Sequence, residues 1–158
     1  MQLIDFSDYN FSLGTAESLT GGAIAKAISS VSGSSRYFKG GIVAYSIDVK
    51  SSVLNVKTST IEKHGVVSRE VAESMARGCR KVLKVDFAIA TTGIAGPSGG
   101  STLTPVGTVC FSVAGPNGCE SWIHHIEGDR REVVDISVHK GVQYLRESLK
   151  SFTASVGR

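Results

Sequence analysis

Cysteine, proline, methionine and tryptophan are all scarce in this chain of 158 residues, which has three, three, two and one of them. The cysteines, Cys79, Cys110 and Cys119, are odd in number and have no C-x-x-C spacing. That excludes a disulfide-stapled scaffold and points to a reducing, cytoplasmic compartment. The four histidines, His64, His124, His125 and His139, form no H-x-x-x-H pair and join no cysteine pair, so no metal site is expected. No apolar run is long enough to span a bilayer, and the N-terminus lacks a basic segment leading into an apolar one, so neither a membrane nor a secretory signal is expected. The formal net charge is +3 with no long Lys/Arg run, which excludes nucleic acid as an expected partner.

Several nucleotide signatures are absent too. Gly93-x-x-Gly96-x-x-Gly99 is not G-x-G-x-x-G, and no G-x-x-x-x-G-K-[ST] occurs. Tyr45 and Lys50 have four residues between them, one too many for the Tyr-x-x-x-Lys of short-chain dehydrogenases. No dinucleotide or NTPase site, and no cofactor, is expected.

What remains is a chain of ordinary globular composition, 41% hydrophobic and 20% charged, long enough for one domain over residues 1–158. Residues 1–10 read as a mixed lead-in. Strands are expected at about Phe11–Thr15, Tyr37–Tyr45, Asp86–Thr92, Val106–Ala114 and Ser121–Glu127, the last two as an antiparallel hairpin. Helices are expected at about Gly22–Val31, Asp48–Leu54, Thr58–Glu62, from Ser68 to Lys84, and from Gly128-Asp129-Arg130 onward. The stripe Val71, Met75, Cys79 and Val82 sets the buried face of one. Val133, Ile136, Val138, Val142, Leu145 and Leu149 set that of the last. The alternation predicts an α/β fold: a single three-layer α/β/α domain with a mixed sheet. In such folds, Gly-rich loops at strand ends bind ligands.

The stretch Thr15-Ala16-Glu17-Ser18-Leu19-Thr20-Gly21-Gly22 sits at such a strand-to-helix junction. It offers hydroxyls, a carboxylate, and small residues that let a ligand approach helix-start amides. It reads equally well as a helix cap by Ser18 or Thr20. Tyr45-Ser46-Ile47-Asp48-Val49-Lys50 lies at a second such junction. Lys50 acts as a general base there only if its amine loses its proton near neutrality, roughly three units below the free value of about 10.4. A serine beside a neutral lysine is a known nucleophile arrangement. The competing reading is a solvated helix lysine and a core tyrosine. Gly93 to Gly100 forms a third candidate cradle, suited to a phosphate.

These stretches, with Pro105-Val106-Gly107-Thr108-Val109 and Gly128-Asp129-Arg130, resemble in order the C-terminal domain family of the competence/damage-inducible protein CinA. That family also occurs as stand-alone nicotinamide-nucleotide amidohydrolases. The resemblance runs from about Phe11 to the last helix. It implies hydrolysis of nicotinamide mononucleotide to nicotinate mononucleotide and ammonia. Ser18 would be the nucleophile, Lys50 the base and Tyr45 its assistant. Thr20, Gly21, Gly22, Thr92, Gly93, Ile94, Ala95, Gly96 and Arg130 would hold the oxyanion and the nucleotide. It further implies a small-molecule nucleotide as partner and a homo-oligomer, dimer or higher. Leu19 stands where the family usually has cysteine, and Val134 where a further arginine is common. A catalytically silent nucleotide- or partner-binding module of the same fold is the alternative. A serine hydrolase for another amide is a third.

Overall fold

The computed structural model describes residues 4–157. The first three residues of the expected lead-in lie outside them. The rest of the lead-in is anchored: Phe6 is fully buried and meets Tyr37 edge-on, ring centroids 6.0 Å apart.

Five strands form one sheet in the order β2-β1-β3-β4-β5. They are β1 (Leu13–Glu17), β2 (Phe38–Val43), β3 (Phe87–Gly93), β4 (Thr108–Gly115) and β5 (Gly118–His125). β1 runs parallel to both β2 and β3, while β3–β4 and β4–β5 are antiparallel. The helices are α1 (Ala23–Ser29), α2 (Ile47–Ser52), α3 (Thr58–His64), α4 (Arg69–Leu83) and α5 (Arg130–Val156). This is the mixed α/β sheet expected from the sequence.

The period-two alternation of the strands divides the core. Leu13, Ile89, Phe111 and Val113 pack with Ile24 and Ile28 of α1 and Val133, Leu145 and Leu149 of α5. On the other face Ala16, Ala88, Ala90 and Ala114 pack with Val71, Met75 and Cys79 of α4. Small strand residues on that face let α4 lie close.

The first strand begins at Leu13 rather than Phe11. Ser12 instead turns into Asp86, whose carboxylate accepts from the Ser12 amide at 2.8 Å. Two expected core positions face water: Val82 in the last turn of α4, and Ile136 of α5, 38% exposed. The buried face of α5 includes the small residues Ser137, Gly141 and Ser148 beside Val133, Val142, Leu145 and Leu149. A Cβ on Gly141 would come within 2.8 Å of Ile24 Cδ1. The packing stripe is therefore one of size as much as of hydrophobicity.

α1 leads from β1 to β2 on one face, and the α2–α4 segment leads from β2 back across to β3 on the other. The carboxyl ends of β1, β2 and β3 thus border a crevice where the crossover connections part to opposite faces, the place where open α/β sheets bind ligands. The geometry of this side depends on Gly78 in α4. A Cβ there would lie 2.0 Å from the Leu54 carbonyl oxygen. Gly78→Ala is therefore expected to destabilise the fold by about 1–3 kcal/mol. Urea unfolding with both proteins at equal denaturant slope measures this.

Candidate active site

Ser18 directly follows β1, and its amide extends the ladder by donating to the Thr91 carbonyl at 3.1 Å. Alternation turns Ser18 and Glu17 to opposite faces of the sheet. Beside β1, the end of β2 is fixed by the Ala44 amide, which donates to the Glu17 carbonyl at 2.8 Å. The chain then turns into α2, where the Ser46 side chain caps the helix by accepting from the Val49 amide at 3.2 Å. One turn further on, Lys50 reaches back over its own helix start. Its Nζ donates to Ser18 Oγ at 2.8 Å, to the Ala44 carbonyl at 2.8 Å and to the Tyr45 carbonyl at 3.2 Å.

Lys50 is 1% exposed and Ser18 8%. The reading of Lys50 as a solvated helix residue is excluded. No carboxylate neutralises the amine: among the described residues no ion pair includes it. Burial disfavours the ammonium and brings its pKa down to about 8. The three acceptors explain how both protonation states are accommodated. The ammonium serves all three. The neutral amine keeps its two N–H bonds on the two carbonyls and turns its lone pair to the Ser18 hydroxyl.

The cleft above this pair has a volume of about 280 Å³. Its walls are apolar, from Leu19, Ile47, Val66, Val67, Ile94 and Ala95, and Arg130 stands among its lining residues. Thr92 is buried at the end of β3, and its hydroxyl donates to the Val66 carbonyl at 2.9 Å, tying the Val66-Val67 wall to the sheet. Gly93, Ile94 and Ala95 line the cleft, and their loop is strapped to β4 by the Ile94 amide on the Thr108 carbonyl at 3.0 Å. Gly96 has φ 85°, and a Cβ there would lie 2.5 Å from Val106 Cγ1, so only glycine fits.

Tyr45 and Arg130 meet over the cleft. The Arg130 guanidinium donates to the Gly96 carbonyl at 2.7 Å and to the Tyr45 hydroxyl at 3.0 Å. Tyr45 is 59% exposed. Its hydroxyl meets Arg130, and only its backbone carbonyl reaches Lys50.

Thr20, Gly21 and Gly22 lie outside the cleft lining. Gly21 and Gly22 take left-handed φ values of 57° and 99° and make the turn into α1. Four amides of the turn and helix start are already paired: Gly21 donates to the Ser18 carbonyl, Ala23 to the Thr20 carbonyl, and Ile24 and Ala25 to the Glu17 carboxylate at 2.8 and 3.0 Å. The cap of α1 is therefore Glu17, not Ser18 or Thr20, and Ser18 is left free for Lys50. The amides of Leu19 and Ala95, both on the cleft wall, have no acceptor among the described residues. The Ser137-x-x-Lys140 spacing on α5 makes no serine–lysine pair of this kind, because the buried Ser137 hydroxyl donates to the Val133 carbonyl at 2.7 Å. Among the described residues, no three His, Cys, Asp or Glu side chains gather as a metal site, and no helix is long and apolar enough to cross a membrane.

Fold and site together define an α/β domain with a serine–lysine pair at the topological switch point of its sheet. Residues 4–149 match the profile of the CinA C-terminal domain, and the chain belongs to that family. A CinA-like protein of Geotalea uraniireducens is 44% identical over 150 residues, 95% of this chain and 36% of the relative. The chain thus spans about a third of the length of the curated relatives it matches. A crystal structure of the competence/damage inducible protein CihA from Agrobacterium tumefaciens is 37% identical, with TM-score 0.85 over 94% of this chain and 90% of that one. A competence or damage-inducible protein from Enterobacter asburiae is 33% identical, with TM-score 0.87 over 90% of each chain.

The lowered Lys50 pKa has a sign that stability measurements can read. Unfolded lysine holds its proton to about 10.4, so between pH 8 and that value the unfolded chain binds more protons. Stability from this group is therefore lowest below pH 8 and rises as the pH climbs through that window. The melting temperature of the wild type is expected to rise relative to that of Lys50→Met between pH 7.5 and pH 10. A constant gap would place the amine at its ordinary pKa.

Proposed function

We propose that the chain is a nicotinamide-nucleotide amidohydrolase, converting nicotinamide mononucleotide and water to nicotinate mononucleotide and ammonia. The observation that carries this reading is the buried Lys50 Nζ at 2.8 Å from Ser18 Oγ, with both of its remaining hydrogen-bond directions fixed by carbonyls. Membership of the CinA family supports it.

In this reading neutral Lys50 takes the Ser18 proton as Oγ attacks the carboxamide carbon. The Leu19 and Ala95 amides face the oxyanion of the tetrahedral intermediate. The Lys50 ammonium then gives its proton to the departing nitrogen, and ammonia leaves a nicotinoyl ester on Ser18. Water, deprotonated by Lys50, cleaves that ester and restores the serine. The apolar walls take the flat pyridine ring. Arg130, two of whose five N–H donors are engaged with Gly96 and Tyr45, offers the rest to the phosphate.

Ammonia release from nicotinamide mononucleotide by the purified chain is the direct test. Ser18→Ala is expected to lower kcat by about a thousandfold or more with an unchanged melting temperature. The kcat of the wild type is expected to rise with pH through about 8 and then level off, because the neutral amine is the active form. Lys50→Arg is expected to be nearly inactive at every pH, since guanidinium keeps its proton. Turnover is expected to survive EDTA, the nucleophile and base being side chains. A folded chain that binds the nucleotide and releases no ammonia would instead be a silent binding module.

A further inference from the structure

The nucleophile occupies a two-residue span, Ser18-Leu19, whose ends are tied together on the side away from the cleft. The Thr20 hydroxyl donates to Glu17 Oε1 at 2.8 Å and lies 2.9 Å from the Thr91 hydroxyl of β3. A carboxylate only accepts, so Thr20 is the donor to Glu17 and Thr91 the donor to Thr20. The remaining acceptor sites of Glu17 are filled by the Thr15 hydroxyl at 3.1 Å and the Ile24 and Ala25 amides. Glu17, Thr15 and Thr91 are fully buried and Thr20 nearly so. Among the described residues no ion pair includes Glu17.

Burying a carboxylate without a cation is unfavourable and is offset here only by hydrogen bonds. Capping seven residues of helix is a small return, and a surface serine or asparagine supplies it. The network does something a surface cap would not. It links the end of β1, the start of α1 and the end of β3 around Ser18, whose amide is held by the carbonyl of the same Thr91.

We propose that Glu17, Thr20 and Thr91 form a positioning network for the nucleophile. It fixes the Ser18-Leu19 turn so that Ser18 Oγ meets the Lys50 amine and the Leu19 amide faces the cleft. Thr20 is thereby a positioning residue rather than a substrate ligand. This rests on Ser18 being the nucleophile of the proposed hydrolysis.

The test compares Thr20→Val, which keeps shape and removes the hydroxyl, with Thr20→Ser, which keeps the hydroxyl. In the full chain, Thr20→Val is expected to lower kcat for ammonia release by about 10- to 100-fold and leave KM within about twofold, the signature of a misplaced reacting group. The pH–rate midpoint stays in place, because Lys50 is untouched. Thr20→Ser restores kcat to within about threefold of wild type. Two further readouts need no nicotinamide nucleotide. Labelling of Ser18 by a fluorophosphonate is expected to slow by the same factor in Thr20→Val. Amide exchange across residues 18–22 is expected to quicken.

A Thr20→Val protein with wild-type kcat, or one not rescued by serine, overturns the proposal. So does a rise in KM alone, which would make Thr20 a substrate contact. If the wild type releases no ammonia yet Ser18 is labelled, and labelled more slowly in Thr20→Val, the network stands and the substrate reading falls. If Ser18 is never labelled, the nucleophile reading falls, and unchanged exchange across residues 18–22 overturns the network as well. Should Thr20→Val not fold, Thr91→Val cuts the same chain of hydroxyls from the β3 side, with the same outcomes expected.

Discussion

A buried lysine amine held among two backbone carbonyls and one serine hydroxyl is the constraint around which this domain is arranged. An ammonium placed there without a carboxylate is costly, and burial answers by easing off the proton. The result is an amine near the border between its two forms at ordinary pH. Nothing in that effect requires an unusual residue. It requires that β1 and β2 lie side by side, that Ala44 and Tyr45 turn their carbonyls inward, and that α2 begin at Ser46 so that Lys50 falls one turn later.

The sheet supplies the frame for that arrangement by giving its two faces different work. On the face toward α1 and α5, large side chains fill the core and the Glu17 carboxylate gathers hydroxyls and helix amides. On the other face, alanines and Gly78 bring α4 close, and at the top of that side the serine meets the lysine. Neighbouring residues of one strand end, Glu17 and Ser18, thus serve opposite sides. A slip of one residue in the register of β1 would exchange them. Parallel pairing on both flanks of β1 guards against that slip.

Much of this was legible in the chain. The apolar run of β3, the hairpin turn before β5 and the helix starts at Ser68 and Asp129 follow from composition and capping chemistry alone. The three stretches around Ser18, Lys50 and Gly93 stood out because small, polar and glycine residues gathered at strand ends. What could not be read was direction. Glu17 caps a helix whose amides lie seven and eight residues later, across a turn with two left-handed glycines, and no capping pattern has that spacing. The exposure of Tyr45 and the burial of Lys50 ran against the usual habits of tyrosine and lysine. They are set by which carbonyls the amine reaches, a tertiary fact. The α5 stripe departs from the apolar pattern at Ile136 because small residues, Ser137, Gly141 and Ser148, share the buried face with Val133, Val142, Leu145 and Leu149.

The carbonyls that grip Lys50 come from only five and six residues earlier in the chain. The lysine amine is therefore held by a loop of seven residues, 44–50, closed by its own side chain, whereas the serine depends on strands far apart in sequence. The two halves of the pair differ in portability. The grip on the amine is local, and the loop joins the sheet through the Ala44 amide on the Glu17 carbonyl. The serine is only as well placed as the sheet that surrounds it.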